Sequence, residues 1–108
     1  MEADRKDRAI DRMRSAIDNF LGELRMAEGL KTSSYEELRD SIIELGAAWA
    51  EEDILPKVVV NYLLGLYSWI DSASYGYAGE EAENIRRAAR DVEELIFVHV
   101  VPAGQEEL

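Results

Sequence analysis

Residues 58–70 read VVVNYLLGLYSWI, and whether they form a strand or a helix decides the fold. Three consecutive valines suit a strand, because β-branched side chains pack well on a pleated surface. Length argues the other way. Ten of the thirteen residues are apolar, and the run outlasts the five or six residues of an ordinary strand. Pro56 fits a first helical turn, where its missing N–H is not needed, and Asp53 can cap. The stretch predicts a helix over about 56–74. Apolar residues nearly all round it predict a central helix, with Leu63 in its middle, or one that also meets a second subunit.

Working outward, residues 80–98 predict another helix. Glu80, Glu81 and Glu83 suit the positive end of its dipole. Its core face is Ile85, Ala88, Ala89, Val92, Leu95 and Ile96. FVHVV at 97–101 has strand-like composition, so the last turn frays or extends, and 102–108 is expected to be a mobile tail. Upstream, Ile10, Met13, Ile17, Phe20, Leu24 and Ala27 recur at helical spacing, which predicts a helix over about 3–28 that Gly29 stops. The opposite face alternates in sign, with pairs such as Asp4–Arg8, and reads as a solvated surface. Ser34 and Glu37 form a capping-box pattern, so a second helix is expected over about 35–52. Leu38, Ile42, Leu45 and Trp49 make its apolar face. Short connections between four such segments predict an all-α fold. It is an antiparallel four-helix bundle in one domain spanning 1–108.

The charge is lopsided. Net charge is −11, yet residues 1–32 balance seven bases against seven acids. Residues 33–108 hold sixteen acids and five bases. Such a field repels nucleic-acid phosphates and attracts basic proteins, so no direct nucleic-acid binding is expected. With no cysteine, thiolate chemistry and disulfides are excluded. The seventeen residues 54–70 are too short and too interrupted for a membrane span. A charged N-terminal stretch without an apolar core is unlike a signal peptide. A cytoplasmic protein without membrane contact is expected.

Catalytic chemistry has few candidates. His99, the single histidine, lies amid valines, and no nucleophile elbow or phosphate loop accompanies it. No catalytic residue and no cofactor are expected. One alternative is a divalent-metal site on Glu36, Glu37, Asp40 and Glu44, which share a helical face. Glu36-Glu37-x-x-Asp40 resembles the Glu-Glu-x-x-Glu helix of all-α nucleoside-triphosphate pyrophosphohydrolases, with Asp at the last position. That resemblance implies metal-dependent nucleotide hydrolysis. The family's second Glu-x-x-Asp helix has no counterpart in EEDILPK, residues 51–57.

The joint at 67–81, YSWIDSASYGYAGEE, points to protein binding. Tyrosine and tryptophan give large contact area at low entropy cost and are enriched at interface hot spots. Trp69 is expected to pack inward. Tyr67, Tyr75, Tyr77, Glu80 and Glu81 form the expected partner-binding set, although Tyr75 and Tyr77 could instead close the end of the core. In size and composition the chain resembles the immunity proteins of colicin nucleases, small acidic helical bundles that bind through neighbouring tyrosines and a ring of carboxylates. That likeness implies an inhibitor of a basic partner and carries no residue across. The expected function is a small acidic, non-enzymatic protein-binding module. A homodimer through the third helix and the metal-dependent hydrolase are the alternatives.

Overall fold

A computed structural model describes residues 2–101. It is a bundle of four helices: α1 (Glu2–Arg25), α2 (Thr32–Ala48), α3 (Lys57–Ala73) and α4 (Gly79–His99). The strand alternative for 58–70 is settled in favour of helix. FVHVV continues α4 to His99 before the chain turns, and the expected tail at 102–108 lies outside the described residues.

The helices pack as two hairpins. In the first, Arg12 meets Glu37 and Glu44 while Asn19 meets Ser34, so α1 and α2 run antiparallel. In the second, only residues 74–78 separate α3 from α4, and the two helices pack on each other, so they are antiparallel too. Across the hairpins α2 packs on α4 and α1 on α3. The α2–α4 pair runs parallel, since Tyr35 faces Asp91 and Gly46 faces His99. Consecutive helices α2 and α3 therefore sit on a diagonal. The connection between them, residues 49–56, is the longest of the three, as a diagonal requires. At Gly46 the α2 backbone lies against the backbone of His99, where a Cβ would have no room.

Core burial is unevenly shared. Along α1, Ala9, Met13, Ala16, Ile17, Phe20, Leu21 and Leu24 are buried. Leu38, Ile42 and Leu45 of α2 and Ile85, Ala89 and Val92 of α4 meet them. In α3 only Val59, Leu66 and Ile70 are buried. The expectation that α3 is central is corrected here: it is the most apolar helix and the least buried. Leu63 is half-buried at its edge. Trp69 is also corrected. It lies beside the 59–66–70 stripe rather than on it, and its indole folds over Gly65, edge-on to Tyr62 at 6.3 Å. It stays 38% exposed.

Several helix boundaries differ from expectation. α1 ends at Arg25 in a Schellman turn: Glu28 N–H donates to the Glu23 carbonyl at 3.0 Å and Ala27 N–H to Leu24 at 3.2 Å. Ala27, expected in the core, takes the left-handed position of that turn (φ 62°) and is exposed. α2 starts earlier, at Thr32, and the Ser34–Glu37 box does not form. Ser34 is buried and accepts a long hydrogen bond from Asn19, while Glu37 turns to Arg12. Tertiary partners outcompete the local cap. α2 also stops at Ala48, with Trp49 half-buried as its C-cap. α3 is preceded by Pro56 rather than capped by Asp53, and the Pro56 carbonyl accepts from Val59 and Val60.

Candidate functional site

The aromatic joint divides into two roles. Tyr77 follows a single 3₁₀ turn, Ser74–Gly76, and is half-buried. Its hydroxyl accepts from Gly29 N–H at 3.0 Å and donates to the Leu24 carbonyl at 2.8 Å. Glu81, in the first turn of α4, accepts from Leu30 N–H at 2.8 Å. Gly29 itself is left-handed (φ 84°), and a Cβ there would lie 3.2 Å from the Glu81 carboxylate. The α3–α4 connection and the first turn of α4 thus clasp the α1–α2 connection, supplying acceptors for the Gly29 and Leu30 N–H groups that follow the Schellman turn. Tyr75 stands 76% exposed, with the Arg86 guanidinium 5.8 Å from its ring, and Glu80 is exposed. Of the five residues singled out from the sequence, Tyr77 and Glu81 come together, engaged inside the fold. Tyr75 and Glu80 face outward, and Tyr67 lies elsewhere.

Tyr67 lines a groove between α3 and α4. The groove, a cavity of about 200 Å³, is walled by Leu55, Val60, Leu63, Leu64 and Tyr67 on one side and Glu93, Ile96, Phe97 and Val101 on the other. Leu64 is 77% exposed, and Val60 and Phe97 are also open to solvent. A second cleft shares Leu55, Val60 and Val101 with the groove and adds Glu52, Asp53, Ile54 and His99. Ile54 is 78% exposed. Val60, Leu64 and Tyr67 recur at i, i+4, i+7, a second apolar stripe on α3 separate from the buried one. The sequence carried that signal as a helix apolar nearly all round. It could not say which of the two stripes the rest of the chain would cover.

The carboxylate face of α2 is organised by a cation. Arg12 forms a fork on Glu37, with bonds of 2.7 and 2.8 Å, and also meets Glu44. The hydrogen bond from Arg12 holds the Glu37 carboxyl below the ordinary carboxylate range, and the same contacts hold the guanidinium more firmly protonated. Two of the four residues of the metal alternative are thereby occupied, while Glu36 and Asp40 stay exposed. Among the described residues no group of three or more His, Asp or Glu side chains is placed to hold a metal ion. Among them, too, no helix is long and apolar enough to cross a membrane.

No family model, curated protein or solved structure matches the chain.

Proposed function

We propose that this chain is a small acidic, non-enzymatic protein-binding module that inhibits or neutralises a basic protein, and that it docks through the α3–α4 face. One observation carries the reading: an apolar groove open to solvent in a protein of net charge −11. Contiguous exposed apolar surface marks sites of protein contact more often than chance, and acidic surroundings select basic partners. Tyr67 belongs to the docking face, and Tyr75 and Glu80 are the outward residues of the joint. Tyr77 and Glu81 support that face by fixing the connection from which α4 starts.

A photo-crosslinking side chain at position 64, in the source cell, tests the reading. A discrete adduct with a basic protein is expected, with none from exposed position 33. Excess of this chain should then suppress the activity of the captured protein. Absence of any adduct at 64 would sink the reading. Adducts formed only with a second copy would support instead the homodimer through α3, which the exposure of Leu64 and Ile54 in adjoining clefts favours.

A further inference from the structure

We infer that the occupant of the α3–α4 groove is a basic amphipathic helix of the partner, an inference that rests on the protein-binding reading above. Size speaks first. A cavity of about 200 Å³ is smaller than the ~300–1,000 Å³ of small-molecule sites, so it takes anchoring side chains rather than a whole ligand. Shape follows. From Val60 to Tyr67 the wall is two turns of α3, about 10 Å long. An occupant helix therefore seats apolar anchors at i, i+3 or i+4, and i+7, as groove-bound helices do.

Charge selects among such helices. Glu93 sits in the groove wall and Asp53 in the adjoining cleft, while Glu52 is already paired with Lys6. The charged residues of α3 are Lys57 in its first turn and Asp71 near its end. Around the apolar floor the carboxylates Glu93 and Asp53 outnumber the single cation Lys57, within a chain of net charge −11, and lysines or arginines flanking an apolar stripe complement that excess. A second copy of the chain brings the same −11 charge to the interface, and anionic lipid headgroups are repelled by it.

Selection from a displayed library of helical 14-residue peptides tests this. The apolar stripe is fixed, and the flanking positions are randomised among Lys, Arg, Glu, Asp and Gln. Expected are enriched peptides of net positive charge that bind more weakly as salt rises, since screening shortens the reach of the carboxylates. Leu64→Asp should weaken them about thirtyfold, as loss of one hot spot does. Phe97→Asp, on the facing helix, should act alike, and circular dichroism should show both variants folded. Enrichment without charge bias, still lost in both variants, would overturn the basic occupant and leave the docking face standing. No enrichment, or binding indifferent to both substitutions, would overturn the docking face as well. If sedimentation shows a dimer that Leu64→Asp converts to monomer, the occupant is a second copy and the inference fails.

Discussion

The two hairpins of this bundle are closed in opposite ways. The α1–α2 seam is apolar inside and sealed outside by charge: Arg12 spans Glu37 and Glu44, and Lys6 reaches Glu52 just beyond α2. The α3–α4 seam has no such seal. Among the described residues no ion pair joins α3 to α4, and the salt bridges of Glu83 with Arg86 and Arg90 stay within α4. Leucine, valine and phenylalanine stand at its mouth instead. Both hairpins bury an apolar stripe, so both fold. Only one finishes its outer edge with groups that water tolerates, and the unfinished one is the edge through which docking is proposed.

The sharpest way to break this comparison is to truncate two neighbouring leucines. Leu66 is fully buried, and Leu66→Ala should cost about 2–5 kcal/mol in urea unfolding, as large core truncations do. Leu64→Ala should stay within about 0.5 kcal/mol, as ordinary surface changes do. Equal losses at both positions would mean that the groove is interior and that the two seams do not differ.

Tyr77 ties the hairpins together, so Tyr77→Phe probes whether either seam stands without the other. It removes the hydroxyl between Gly29 N–H and the Leu24 carbonyl. The expected cost is about 1–3 kcal/mol, that of a half-buried polar group, Gly29 N–H, left without its partner. Hydrogen exchange should quicken at Gly29. Unchanged exchange there would show that the clasp is not what orders the α1–α2 connection.

Ala27→Gly should move stability upward. A non-glycine residue in the left-handed region strains its Cβ, and Ala27 holds φ 62° while exposed. A gain of about 0.5–1 kcal/mol in thermal unfolding is expected. A loss would mean that the first hairpin needs something from the alanine side chain.

The smallest effect tests the polar seal. Because Arg12 lowers the folded-state pKa of Glu37, this pair stabilises the fold above the ordinary glutamate pKa of about 4.3. That contribution is lost as pH falls through the lower folded-state value. Wild type should exceed Glu37→Gln by no more than about 1 kcal/mol at neutral pH, because the pair is well exposed. The gap should narrow in acid and in high salt. A gap that widens in acid would reverse the assigned sign.

Periodicity alone established four helices, because an amphipathic stripe is a local property written at i, i+3 and i+4. The stripes of α1, α2 and α4 were legible down to Met13, Ile42 and Val92. Caps were not, because Ser34 and Glu37 have better partners in α1 than in their own first turn. The candidate site was half legible. Tyr67 and the surplus of acids could be picked out, but Leu64, Val60 and Phe97 could not, since an apolar residue carries no mark of whether a neighbour covers it. Tertiary structure decided which helices are neighbours, put α2 and α3 on a diagonal, and turned Tyr77 inward while leaving Tyr75 outside. Each of these choices pits one long-range contact against another. The sequence limits the contestants to a few faces of each helix; only the assembled bundle, where each face can be covered once, selects among them.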